Sequence, residues 1–183
     1  MKIDLQPTHL KNELVNLSPL KPEDFEKLYE VASDPSIWEQ HPNKDRFKRE
    51  VFEVFFEGAI KSGGAFLICD TRLKKVIGSS RFYECDPNTI AIGYTFLARS
   101  HWGSVYNQNV KKLMITYAFA HYSKINFHVG ANNIRSQKAI QKTGAKKIGE
   151  HEMEYYGESK KLNFIYEITK SDFESEKKDD NSL

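Results

Sequence analysis

Cysteine is scarce in this chain. Cys69 and Cys85 are its only two, which allows one disulfide but no disulfide framework, and a reducing compartment suits such a pair better. Long apolar runs are missing too. No stretch approaches the roughly 20 residues needed to cross a bilayer. Residues 1–17 carry scattered charges and no apolar core of a secretory leader, so the cytoplasm is the expected location. Excess charge is likewise absent: a net +2 gives no reason to expect nucleic acid or an anionic membrane as partner. Neither Gly-x-x-x-x-Gly-Lys-Ser/Thr nor Gly-x-Gly-x-x-Gly occurs, which argues against a Walker-type or dinucleotide phosphate loop. No metal is expected.

What remains is an ordinary globular composition, 39% hydrophobic and 28% charged over 183 residues. That length suits one domain with a sizeable core and rules out disorder throughout. Residues 13–20 read as a short strand. Pro22, with Glu23 and Asp24 behind it, opens a helix whose inward face is Phe25, Leu28, Tyr29 and Ala32, and Asp34-Pro35 stops it. A polar loop over 36–46 leads to a second helix with an apolar stripe of Phe52, Phe55, Phe56, Ala59 and Ile60, closed by Gly63-Gly64. The period then changes to two. Residues 65–70, 75–84 and 89–98 are three strands of an antiparallel meander, the last with Ile90, Ile92, Tyr94 and Phe96 on one face. A helix over 104–122, a strand over 125–129, a helix over 133–143 and a closing hairpin turning at Gly157 follow. The result is mixed α/β with one crossover helix, which normally joins parallel strands. The charged segment 171–183 is expected to stay without structure beyond a domain ending near residue 170.

Two segments carry candidate chemistry. Residues 99–107, ArgSerHisTrpGlySerValTyrAsn, lie between a strand end and a helix start, where unpaired N–H groups and the positive end of the helix dipole favour phosphate. The plainer reading is a turn with Ser104 as helix cap. In residues 132–145, Ser136, Ala139, Ile140 and Thr143 share the helix's inward face, so the Ser136 hydroxyl either lines a cavity or bonds back to its own helix; Asn132 or Asn133 caps that helix. Both segments put a helix N-terminus beyond a strand's C-terminal end, the place where open α/β sheets bind ligands.

Together GlyTyrThrPheLeuAla (93–98), HisTrpGly-x-x-TyrAsn (101–107) and AsnIleArgSer-x-x-Ala-x-x-Lys-x-Gly (133–144) resemble the GNAT acetyltransferases, closest to their RimJ/RimL-like branch, over roughly residues 13–169. The resemblance implies the GNAT fold: a largely antiparallel sheet with one parallel pair splayed apart, flanked by about four helices. It also implies acetyl-CoA as cofactor. Phe96, Leu97 and Ala98 would pair with the pantetheine arm, Asn133 would bond to it, and Trp102, Gly103, Ser104, Val105, Tyr106 and Asn107 would surround the pyrophosphate. The family's phosphate loop runs Gln/Arg-x-x-Gly-x-Gly/Ala. Here Ser100 and Val105 stand at its first and last places, a departure that implies weakened cofactor binding.

The resemblance also bears on proton transfer. Where many relatives have a tyrosine that protonates the leaving thiolate, this chain has Ile140, and Ser136 matches the serine of the RimJ/RimL-like branch. A base must take a proton from the amine. Glu84 is the first candidate, with His128, His101, Glu39 and His41 as others. Trp38, Glu39 and Tyr155 fall in the segments that build acceptor sites in this superfamily, and their aromatic and acidic character suits a cationic amine. The expected activity is acetyl transfer to a primary amine, either a protein N-terminus or a small molecule, by direct attack in a ternary complex. The alternative is a CoA-binding GNAT-fold protein without transferase activity. A homodimer is left open.

Overall fold

A computed structural model describes residues 3–180. Its centre is a seven-stranded mixed sheet of order β1-β2-β3-β4-β5-β7-β6. The strands are β1 (Val15–Pro19), β2 (Ala65–Asp70), β3 (Lys75–Asp86), β4 (Thr89–Leu97), β5 (Lys124–Gly130), β6 (Lys146–Met153) and β7 (Lys161–Thr169). The helices are α1 (Phe25–Ala32), α2 (Arg49–Ser62), α3 (Tyr106–Ala118), α4 (Ile134–Gln141) and α5 (Lys170–Asp180). All neighbouring strands run antiparallel except β4 and β5, the pair that α3 connects. The expected mixed sheet with one parallel pair is what the chain forms.

Each face of the sheet has its own core. On one face Val110, Met114, Ile115 and Ala118 of α3 pack against Phe66, Phe82, Ile90, Ile125 and Phe127. On the other, Leu28 and Ala32 of α1 and Phe52, Phe55 and Ala59 of α2 pack against Leu67 and Phe96. Burying a Leu- or Phe-sized side chain contributes about 1.5–3 kcal/mol, so both layers are held by their apolar stripes. Side chains that alternate between the two faces along these strands let one sheet serve two cores.

Four expectations need correcting. The segment 36–46 is neither polar nor loose. It forms two 3-10 turns, Pro35–Trp38 and Lys44–Phe47, with Ile37, Trp38 and Arg46 buried. Asp34 and Asn43 cap these turns through their side chains, accepting from Ser36 N and Asp45 N. The third helix is shorter than 104–122: Ser104 precedes it, and His121 lies exposed beyond its end. In β4, Ile90 and Ile92 do not share a face with Tyr94 and Phe96. Finally, residues 170–180 are helical rather than structureless. Asp172 N donates to Thr169 Oγ1 at 3.2 Å, and Phe173 packs on Phe119 with ring centroids 5.3 Å apart. One apolar anchor and a hydroxyl cap hold what composition alone leaves unfolded. Residues 181–183 of that expectation lie outside the described residues.

Candidate active site

β4 and β5 are paired only from Thr89–Ala91 to Lys124–Asn126. Beyond that their C-terminal halves part, and a cavity of about 220 Å³ opens between them. A bulge shapes its β4 wall. Arg81 pairs with Gly93 but Ser79 pairs with Phe96, so β4 holds one residue more than β3 over this stretch. The extra residue is Tyr94, whose φ of +54° lies in the left-handed region. A non-glycine residue there costs about 1–3 kcal/mol and persists only where its surroundings fix it. The Arg81 guanidinium lies 3.9 Å above the Tyr94 ring, and Tyr83 and Tyr155 each meet it edge-on at 5.6 Å. Past the bulge the alternation resumes out of phase. Leu97 joins Ile90 and Ile92 in the α3-side core, while Tyr94 and Phe96 turn to the α2 side.

At the upper end of the cavity, the loop into α3 is built for an anion. Gly103 has φ +66° and lines the cavity; Ser104 and Val105 follow it, exposed. Among the described residues, the backbone N–H groups of these three find no acceptor. The first turn of α3 contains no acidic side chain, so the positive end of its dipole is uncompensated. Beneath the loop Asp70 ties the structure down. Tyr106 donates its hydroxyl proton to Asp70 Oδ2 at 2.7 Å and His101 Nε2 donates at 3.2 Å. Burial pushes the Asp70 carboxyl up, but the bonds from Leu73 N, Tyr106, His101 and Arg72 N outweigh it and hold it well below the usual carboxylate range.

The second wall comes from α4. Asn133 caps it, accepting from Ser136 N at 3.1 Å. Ser136, Ala139 and Ile140 all line the cavity, and the Ser136 hydroxyl bonds to no described residue. The alternative of a core serine bonded to its own helix is therefore not what is found. Arg135 ties this wall to the others: its guanidinium lies 3.8 Å over the Trp102 ring and donates to Ile37 O at 2.8 Å. Trp102 in turn donates from Nε1 to Leu97 O at 2.9 Å.

The lower half of the cavity faces α2 and is aromatic. Tyr83 OH and His128 Nδ1 lie 2.7 Å apart. Burial, reinforced by the nearby Tyr94, holds the Tyr83 phenol well above its usual value, so it stays protonated. Burial, with His151 adding to it, lowers the His128 imidazole, which is neutral at pH 7. Tyr155 donates to Asn163 Oδ1 at 2.6 Å and meets Tyr94. Arg46 is 1% exposed, donates from Nε to Glu158 Oε1 at 2.8 Å, and lies 4.5 Å over the Phe55 ring. Its NH1 is 3.1 Å from His41 Nε2, which must accept because a guanidinium only donates; His41 Nδ1–H then points to Asn43 O at 3.1 Å. Burial and the Arg46 charge lower the His41 imidazole well below its ordinary value, so it is a fixed, neutral strut. Across the sheet, Lys111 is 4% exposed and donates to Thr95 Oγ1 at 2.7 Å, with its ammonium pushed down to about 7 by burial.

Residues 15–146 match the model of the acetyltransferase (GNAT) domain family. The chain belongs to the GNAT acetyltransferases. Among solved structures it is similar to a GCN5-related N-acetyltransferase from Brucella melitensis, with 18% identity, a TM-score of 0.76 and coverage of 90% of this chain and 79% of that one. It is also similar to the spermidine N-acetyltransferase of Vibrio cholerae in complex with CoA and spermine, at 16% identity and a TM-score of 0.66, covering 88% and 99%. RimJ of Mycobacterium smegmatis in complex with CoA-disulfide matches at 15% identity and a TM-score of 0.65, covering 86% and 82%. At such identities the likeness shows the fold, and this is the GNAT fold. No curated protein matches the sequence.

Of the residues read from this GNAT sequence, Trp38, Phe96, Leu97, Trp102, Gly103, Asn107, Asn133, Ser136 and Tyr155 line this cavity. Others do not. Glu84 is exposed near the opposite end of β3, beside the paired part of β4, where Tyr122 donates to it at 2.9 Å; it is no base for this site. Glu39 is exposed on the turn after Trp38 and lies near Arg135, so the acidic wall expected there is missing. Ala98 N is bonded to Ile77 O at 2.7 Å, and the Tyr106 side chain is held by Asp70. Arg46, Tyr83 and Lys111 line the cavity and were not read from the sequence. Lys111 had a signal, since positions 111, 115 and 118 share a helical face with two apolar residues. Arg46 had none, its partner being 112 residues away.

Proposed function

We propose that the chain is a cytoplasmic, acetyl-CoA-dependent N-acetyltransferase of the RimJ/RimL-like branch, acting on a primary amine by direct attack in a ternary complex. The observation that carries this is the splay of β4 from β5, with an anion-ready loop at one end and a neutral imidazole in the other half. Two free thiols and, among the described residues, no helix long and apolar enough to cross a membrane accord with the location. The Asn133–Ser136 spacing supports the branch.

The residues present suit the cofactor. Unpartnered N–H groups of Gly103, Ser104 and Val105 would be the donors for its phosphates, and the edge of β4 left unpaired by β5 faces the groove its arm would follow. Bound acetyl-CoA supplies an acyl group activated as a thioester. The chain's own task is then to place the amine and move two protons. Tyr83 OH and His128 Nδ1 are 2.7 Å apart; the role of base requires the tautomer with the proton on Nδ1, directed at the phenol oxygen, which would leave Nε2 free to accept a proton from the amine. Ser136 Oγ lines the cavity with no bond to any described residue, and it would donate the hydrogen bond through which the departing sulfur is protonated. Backbone N–H groups near Leu97 would polarise the thioester carbonyl.

Titration with acetyl-CoA, CoA and ATP, followed by assay of free thiol with a panel of amines, tests the reading. Thermal stabilisation by acetyl-CoA and CoA, with amine-dependent thiol release, is expected. Stabilisation by ATP alone would sink it. Binding of acetyl-CoA with no thiol release from any amine would leave a CoA-binding protein without transferase activity.

A further inference from the structure

Not one aspartate or glutamate stands among the described residues lining the cavity, although two guanidiniums, Arg46 and Arg135, and the amine of Lys111 do. In the aromatic half, where the acceptor sits on the reading above, the imbalance is specific. Arg46 and Arg81 are both buried there, at 1% and 5% exposure. Among the described residues Glu158 is the one carboxylate paired with either of them, and it pairs with Arg46 through Oε1. Arg81 has no carboxylate: its NH1 donates to Gly58 O at 3.3 Å, and its charge lies 3.9 Å from the Tyr94 ring on the cavity wall. Both imidazoles nearby, His41 and His128, are neutral at pH 7, lowered by burial. Two guanidiniums against one carboxylate leave one uncompensated positive charge.

Hydrogen bonding points the same way. Arg46 NH2 is 2.8 Å from Glu158 Oε1 but is misaligned, so its protons are buried without an acceptor while Glu158 Oε2 is buried without a donor, and Arg81 Nε is buried without an acceptor and with no carboxylate beside it among the described residues. A buried donor left unmatched costs about 1–3 kcal/mol, and a charge-assisted bond from a guanidinium to a carboxylate is roughly twice as strong as one between neutral groups. A polycationic acceptor would enter this half against an existing positive charge with no carboxylate to meet it. A single carboxylate on the acceptor would supply both the missing charge and the missing acceptor.

We infer that the acceptor is an amine that also carries a carboxylate, recognised by Arg46 in the field of Arg81, rather than a polyamine. This inference rests on the acetyltransferase reading. The test uses matched pairs differing by the carboxylate: alanine and ethylamine, tyrosine and tyramine, 4-aminobutyrate and propylamine, with spermidine beside them. In at least one pair the carboxylated member is expected to give a kcat/KM at least tenfold higher, and to raise the melting temperature of the CoA-bound protein where its partner does not. The double variant Arg46→Met with Glu158→Gln, and separately Arg81→Met, should each shrink that preference toward unity; whichever folds reads it. Equal rates and shifts within every pair, or spermidine exceeding all carboxylated amines, overturns the inference while leaving acetyl transfer standing. If no amine releases thiol, the acetyltransferase reading fails, and the melting shifts of the CoA-bound protein still decide for or against the carboxylate.

Discussion

Ser136 and His128 reach the same cavity from different elements, one from α4 and one from β5, and each is given a proton task that the other cannot do. Ser136→Ala removes the proposed donor to the leaving sulfur without touching the loop into α3. It is expected to lower kcat by about a hundredfold, the lower range for a positioned acid or base, while acetyl-CoA affinity measured by calorimetry barely moves. An unchanged kcat takes Ser136 out of the chemistry. For His128 the sign follows from burial, which favours the neutral ring and lowers its pKa below 6.5. The base is then free at neutral pH. The rate should climb with pH through that lowered pKa and level off by pH 7, and His128→Gln should erase this acidic limb along with most of kcat/KM. A limb that survives in the variant assigns it to another group.

At the scale of elements, the site depends on how closely the 36–46 segment is pressed onto the end of β5. Gly130 is the contact point: a Cβ there would stand 2.4 Å from Pro42 Cγ and 2.7 Å from its Cδ. Pro42 cannot swing aside like a flexible chain end, so Gly130→Ala must push the segment outward. Overpacking of this kind costs about 1–3 kcal/mol. The melting temperature should fall and the KM for the amine should rise, because Trp38, His41 and Arg46 move with the segment, whereas acetyl-CoA titration should give nearly the wild-type affinity. Equal losses for both ligands would mean that the whole cavity had collapsed. The same segment marks the limit of what periodicity reveals. Strands and helices announced themselves through patterns of two and 3.6, and both helix N-termini at the site were legible. The turns at 35–47 were not, because they are fixed by side-chain caps and by a partner 112 residues distant. Nor was the Tyr94 bulge. A single inserted residue reverses which face every later side chain takes, and the alternation of residues 90–96 contains no mark of it.

Across the whole molecule, the least expected feature is a lysine inside the α3-side core. Lys111 has a single hydrogen bond, to Thr95 Oγ1, and burial lowers its ammonium from 10.5 to about 7. The unfolded chain exposes this group to water and keeps it protonated up to its ordinary value. Between about pH 7 and 10.5 the unfolded state therefore binds more protons than the folded state, and this group's contribution makes stability rise with pH across that window. Below pH 7 both states are protonated, and the full cost of burying the charge applies, on the order of a few kcal/mol. Lys111→Met keeps the length of the side chain and removes the charge, while Thr95 retains its bond to Ser80 at 2.8 Å. The variant should thus be more stable than the parent at pH 6–7, by several degrees in melting temperature, and the two curves should converge toward pH 10.5. Parallel curves would show that the ammonium is solvated or paired in solution. A natural sequence that retains this cost below pH 7 has reason to need an amine at that wall, and comparing the acetyl-CoA affinity of parent and variant would show whether the cofactor is what it serves.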